Sequence, residues 1–247
     1  MPTTNRTAFI TGAGKNIGRA CALDLADRGY NVVINGRADK AACEQVAKEA
    51  QAKGVKASVI MADVGLVPEA RRAAKEALEA FGTIDVLVAN AAIRPDKPFL
   101  ENTEEDWRRV MGTNLESAIF LSQAFLPGMI AKGWGRIVVM TGRNAMRGYP
   151  GHVTTSVAKH GLWGLTKTLA REFGPQGITI NAISPGVIDT TDDPAWVARM
   201  QKVAQTEIPV RRIGTPAEIA AMCGLLCSDQ GGFVNGQMIG INGGIDT

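Results

Sequence analysis

The chain has 247 residues, of which 45% are hydrophobic and 21% charged, a composition that excludes disordered, collagen-like and disulfide-framework classes. Lys and Arg number 27 against 24 Asp and Glu, too small a balance to argue for nucleic acid or an anionic membrane as a partner. No apolar stretch approaches the roughly 20 residues of a membrane span. The opening Met-Pro-Thr-Thr-Asn-Arg lacks the apolar core of a secretion signal, so one domain over residues 1–247 in a reducing cytoplasm is expected.

In chain order, short apolar runs alternate with longer amphipathic ones. A strand at 8–11 leads into Thr11-Gly12-Ala13-Gly14-Lys15-Asn16-Ile17-Gly18, which opens a helix to about residue 28. Strands are expected again at 30–35, 55–61, 84–89, 136–140 and 178–183. Each is preceded by a glycine that closes the helix before it: Gly29, Gly54, Gly82, Gly133 and Gly177. The strand runs, such as Val32-Val33-Ile34 and Ile137-Val138-Val139, are apolar at consecutive positions, which means burial on both faces. Strand and helix therefore alternate as in a doubly wound α/β Rossmann fold with a parallel sheet. Residues 186–214, with Pro194, Pro209, Thr190-Thr191-Asp192-Asp193 and a helical segment at 196–206, interrupt the rhythm after a strand's carboxyl end. A substrate lid or a surface insertion fits that position. Residues 235–244 read as a last strand bracketed by turns.

The glycine-rich loop lets backbone approach a pyrophosphate, whose charge then rests on free N–H groups at a helix N-terminus. This loop, then Asn90-Ala91-Ala92, Asn114, Lys159 and Asn181-Ala182-Ile183-Ser184-Pro185-Gly186-Val187-Ile188-Asp189-Thr190, together resemble the short-chain dehydrogenases/reductases. The resemblance covers essentially the whole chain. It implies a seven-stranded parallel sheet, a nicotinamide dinucleotide, a small-molecule substrate and a homotetramer or homodimer. It also implies that Gly12, Asn16, Ile17 and Gly18 line the pyrophosphate, that Asp63 and Val64 hold the adenine, and that Asn90, Ala91 and Ala92 hold a ribose. Pro185, Gly186, Ile188 and Thr190 would hold the nicotinamide amide, Lys159 the nicotinamide ribose, and Asn114 a proton-relay water.

Charge bears on the cofactor's identity. Relatives that take NAD place a carboxylate after the second strand for the ribose 2′-hydroxyl, and it would repel a 2′-phosphate. Here the run is Ile34-Asn35-Gly36-Arg37, with Lys15 in the loop nearby, which favours NADP(H) over NAD(H).

The family's chemistry calls for a tyrosine four residues before the lysine and a serine thirteen before that tyrosine. Those positions hold Thr155 and Gly142, and the chain's two tyrosines are Tyr30 and Tyr149. A threonine hydroxyl is too weak an acid to replace a phenol, so ordinary ketone reduction should be crippled. Hydride transfer to an acceptor that needs no enzyme proton, such as an iminium ion or an activated double bond, remains open. His152, seven residues before Lys159, is either an acid or base or a surface residue at a helix start. Arg94 and Arg143 either bind an anionic substrate or form a solvated rim. Thr155, Ser156 or His152 would supply any residual polar contact. Cys223 and Cys227 read as packing residues and His160 as structural, so no metal site is expected. Three readings of function stand: an NADP(H)-dependent oxidoreductase acting on a carbonyl, alcohol or imine-like substrate; an inactive NADP(H)-binding or assembly protein; and a non-redox lyase or isomerase using His152 with Lys159.

Overall fold

The computed structural model describes residues 5–191 and 193–246, so Met-Pro-Thr-Thr, Asp192 and Thr247 lie outside the described residues. Seven strands form one sheet in the order β3-β2-β1-β4-β5-β6-β7. They are β1 (Thr7–Ile10), β2 (Asn31–Gly36), β3 (Ala57–Met61), β4 (Val86–Ala89), β5 (Gly135–Met140), β6 (Ile178–Pro185) and β7 (Met238–Ile241). Every pairing is parallel.

The consecutive apolar runs are explained by two cores. Ala8, Ile10, Val32, Ile34, Val86 and Val88 point to one face, which is covered by α1 (Asn16–Asp27), α2 (Lys40–Gln51) and α8 (Pro216–Leu226). The residues between them, Phe9, Val33, Leu87 and Ala89, point to the other face. That side is covered by α3 (Val67–Phe81), α5 (Ser117–Lys132) and α6 (Val153–Phe173). Successive strand side chains alternate in direction, so a strand buried on both faces must be apolar at every position.

The helix-closing glycines Gly29, Gly54, Gly82, Gly133 and Gly177 all have positive φ, between 61° and 87°. A left-handed residue there reverses the chain into the next strand at little cost only when Cβ is absent. At the same end of the sheet the buried Asp85 carboxylate accepts from the Thr7 N–H at 2.8 Å and from Lys132 Nζ at 2.6 Å, tying β1 to the end of α5.

After α4 (Glu104–Met111), which a Thr103–Asp106 capping box starts, the helix passes through a π turn at Gly112–Glu116. Strand β6 runs two residues beyond the expected 183, pairing Pro185 with Ile241. The following excursion carries α7 (Pro194–Thr206) and returns where Ile188 bridges Gly214, which closes its neck at the carboxyl end of β6. Strand order reverses between β1 and β4, the position where such sheets form a ligand crevice. Among the described residues no helix is long and apolar enough to cross a membrane.

Candidate active site

The crevice is built on Thr11, at the end of β1. Its hydroxyl accepts from the N–H groups of Asn90 and Ala91 at 2.9 and 2.8 Å, while Asn90 Nδ2 donates to the carbonyls of Thr11 and Gly12 at 2.9 and 3.2 Å. Two strands are thereby pinned side by side, with Ala92 exposed just beyond. Gly12 has φ +61°, and a side chain at Gly18 would overlap the Gly12 carbonyl and lie 2.6 Å from Asn90 Nδ2. The first turn of α1 has no side-chain cap from Lys15 and no acid, so its N–H groups and the positive end of its dipole face the crevice. Lys15 and Asn16 are exposed and Ile17 is half-buried. This is the chemistry of an anion cradle.

At the end of β2 Asn35 Nδ2 donates to the carbonyls of Ile60 and Ala62 at 3.0 and 3.2 Å. Arg37 is exposed and lies 3.7 Å from the carboxylate of Asp63, which also accepts from the Gly65 N–H, and Val64 beside it is buried. Sequence reasoning passed over Cys43, whose Sγ would lie 3.0 Å from a Cβ at Gly14 and also backs Gly36. Its only signal was a cysteine on the buried face of α2.

The second half of the site joins β5, α6 and the end of β6. Lys159 is buried and donates from Nζ to the Met140 carbonyl at 2.5 Å. Burial, and then the positive charge of Arg94, push its ammonium down to about 7. One turn earlier, Thr155 is 1% exposed and its hydroxyl has no hydrogen-bond partner. Gly142, at the end of β5, has φ +111° and ψ 174°, a conformation nearly confined to glycine. The neighbouring Thr141 hydroxyl donates to the Ile183 carbonyl at 2.9 Å, turned toward β6. Ser156 Oγ accepts from Asn144 Nδ2 at 3.3 Å, and His160 is exposed with Nδ1 against the Ser156 carbonyl.

Asn114 sits in the π turn, buried, with both ends of its amide engaged: Oδ1 accepts from the Ile93 N–H and Nδ2 donates to the Ile93 carbonyl, each at 2.8 Å. It anchors the strand-to-loop segment that carries Ala91, Ala92 and Arg94. His152 is the residue before α6, with Nδ1 at 3.1 Å from the Pro95 carbonyl. A carbonyl only accepts, so the proton lies on Nδ1 and Nε2 carries a lone pair or a second proton. Arg94 is exposed, whereas Arg143 is half-buried and ion-paired to Asp246 at 2.9 Å. Asp246 was missed because nothing local marks a residue close to the chain's end as part of this site. Pro185, Gly186 and Thr190 are partly exposed along the end of β6, with Ile188 buried among them.

Tyr30 is buried and donates to the Cys227 carbonyl at 2.7 Å, away from this region. Cys21, Cys223 and Cys227 are buried in one core between α1 and α8. Among the described residues no group of three or more His, Cys, Asp or Glu side chains could hold a metal ion.

Comparison with known proteins agrees along the whole chain. A family profile described as enoyl-(acyl carrier protein) reductase matches residues 12–246. The 3-oxoacyl-[acyl-carrier-protein] reductase FabG of Staphylococcus epidermidis is 37% identical over 241 residues, 98% of this chain and 99% of that one. The acetoacetyl-CoA reductase of Allochromatium vinosum is 35% identical over 241 residues, covering 97% and 98%. Among solved structures, a blue fluorescent protein from a metagenomic library in complex with NADPH superposes with a TM-score of 0.92 at 32% identity, covering 98% of each chain. Acetoin dehydrogenase YohF of Salmonella typhimurium gives 0.90 at 31% identity over 97% and 95%. With its sheet order, its glycine-lined crevice and relatives of this identity along nearly its full length, the chain belongs to the short-chain dehydrogenase/reductase family of oxidoreductases.

Proposed function

We propose that this protein is an NADP(H)-dependent oxidoreductase with a rearranged active site. The observation that carries the reading is the pairing of an intact dinucleotide crevice with a catalytic face where Thr155 stands one turn before buried Lys159.

The residues present fit a nicotinamide dinucleotide: the uncapped start of α1 and the bare Cα of Gly18 leave a cradle that any side chain would fill. When bound, the dinucleotide supplies or accepts a hydride. Gly12, Asn16, Ile17 and Gly18 receive the pyrophosphate. Asp63 and Val64 hold the adenine, and Asn90, Ala91 and Ala92 hold a ribose. Lys159 holds the nicotinamide ribose, and Pro185, Gly186, Ile188 and Thr190 line the carboxamide. Arg37 and Lys15 receive a 2′-phosphate, since the β2 end offers no acid and Asn35 is turned inward. The NADPH bound by the metagenomic fluorescent protein supports the same choice.

Without a phenol, proton movement falls to His152 Nε2 and to water. The Asn114 amide is committed to Ile93, so it orders that water through backbone it holds in place. Such a site suits a small iminium ion or activated double bond better than a ketone whose oxygen must be protonated as it is reduced. Arg94 and Arg143 lie where they favour an anionic substrate. The chain works as a homotetramer or homodimer in the cytoplasm.

A second reading, an inactive NADP(H)-binding protein, is favoured by one observation: the Thr155 hydroxyl is sealed from solvent. Purified protein tested for NADPH oxidation with ketones, imines and enones separates the two. Turnover of any class supports the first reading, and NADPH binding with none supports the second. Cofactor choice has its own check by titration of both dinucleotides. Arg37→Asp should weaken NADPH binding by about 100-fold and leave NADH unchanged or tighter, because it exchanges an attraction for a repulsion at one phosphate. Equal losses for both dinucleotides would refute the Arg37 assignment.

A further inference from the structure

The end of the chain delivers a carboxylate to the region beside Gly142. Asp246, whose side chain is 5% exposed, lies with its two oxygens 2.9 and 3.2 Å from Arg143 Nε, accepts from Asn242 Nδ2 at 3.3 Å, and stands 4.0 Å from Arg147 Nε. The geometry of this pair is incomplete. A guanidinium holds a carboxylate best through two parallel N–H bonds. Arg143 engages Asp246 through Nε, and its Nη2 is buried with no partner. An unmet charged donor in a buried place is costly, so a carboxylate free to orient itself would satisfy Arg143 better than the tethered one.

The surroundings are cationic. Arg147 donates from Nε to Tyr149 Oη at 2.8 Å, and the guanidinium carbons of Arg147 and Arg143 lie 4.9 and 5.6 Å from the Tyr149 ring, which fixes the spacing of the two cations. The tail that carries Asp246 is jointed. Gly243 and Gly244 have φ +63° and +88°, Pro209 and Val210 pack against them, and the Gly243 carbonyl accepts from the Val210 N–H at 3.2 Å. The segment that follows α7 thus bears directly on the joint.

We propose that Arg143 and Arg147 form a recognition site for a small monocarboxylate, and that Asp246 occupies it in cis as a stand-in which the ligand displaces. This rests on the reading of the same cleft given above and names as the substrate class an acid that also carries an imine or an activated double bond, with acetoacetate serving only as a probe of carboxylate binding. Displacement takes the carboxylate of Asp246 off Arg143 as the ligand's carboxylate arrives, so the net charge of the cluster is preserved.

Calorimetric titration of the full chain, without dinucleotide, with acetoacetate and with its neutral methyl ester tests this. Acetoacetate should bind about tenfold or more tightly than the ester. Asp246→Asn keeps an oxygen for Arg143 Nε and removes the competing charge. It should tighten acetoacetate about tenfold and leave the ester unchanged. Arg143→Met, with folding verified by its melting transition, and Arg147→Gln should both weaken acetoacetate. Equal affinities for acid and ester, no binding by wild type and Asp246→Asn alike, or no tightening in Asp246→Asn would overturn the proposal. No hydride transfer is involved, so an enzyme without redox activity can still pass, and an active one can still fail.

Discussion

Thr155→Tyr should raise the rate of ketone reduction, measured as NADPH oxidation with acetoacetyl-CoA, by about 10²-fold or more. A phenol at position 155 stands one helical turn before Lys159, where both side chains share a face of α6 and the ammonium lowers the phenol's pKa. The exchange breaks no hydrogen bond, because the threonine hydroxyl has none. Its cost is steric: position 155 is 1% exposed, so its neighbours must shift to admit the ring. Gly142→Ser should add little by itself. At φ +111° a serine carries about 1–3 kcal/mol of backbone strain, which works against any gain. The double variant should therefore owe most of its gain to Thr155→Tyr. A folded Thr155→Tyr protein that binds NADPH yet reduces no ketone would sink the idea that one lost phenol separates this chain from an ordinary reductase.

Lys159→Met should make the dinucleotide-free protein more stable near neutral pH. The ammonium of Lys159 is pushed down to about 7 by burial and by the charge of Arg94, whereas an unfolded lysine titrates near 10.4. Between those two pH values the unfolded chain binds a proton that the folded chain does not, so wild-type stability from this group rises with pH through the window. Below the folded value both states are protonated and the full penalty of burying the charge remains, on the order of 4–5 kcal/mol. The hydrogen bond to the Met140 carbonyl is lost in the variant and offsets part of it. Denaturant unfolding should then find Lys159→Met more stable than wild type by about 3 kcal/mol at about pH 6, with the gap closing toward about pH 10. A gap of constant size across that range would mean that Lys159 keeps its ordinary affinity for protons. A residue this costly to bury is one retained for its ligand, and NADPH should stabilise wild type far more than the variant.

The glycine-rich loop, the parallel sheet and the helix ends were legible from residues alone. Gly29, Gly54, Gly82, Gly133 and Gly177 each mark a chain reversal that only near neighbours control, and the uninterrupted apolar strands announce burial on both faces. The candidate site residues were named from type and spacing, but the contacts their side chains make were not legible. Asn114 is expected to order water, and the structure adds that each end of its amide makes a hydrogen bond to Ile93. Arg143 was expected either to bind an anion or to lie on a solvated rim, and it already holds a carboxylate.

By itself, then, the sequence determined the order of strands and helices, the glycine-lined turn around Gly12 and Gly18, and the threonine that stands four residues before Lys159, because each depends on residue type and on spacing within one or two turns. The tertiary structure alone decided that Thr155 keeps an unpartnered hydroxyl, that Gly142 takes a glycine-only backbone, and that Asp246 meets Arg143 from the far end of the chain. Those outcomes follow from which strands lie side by side at the carboxyl edge of the sheet, and no local pattern records a contact between groups 103 residues apart.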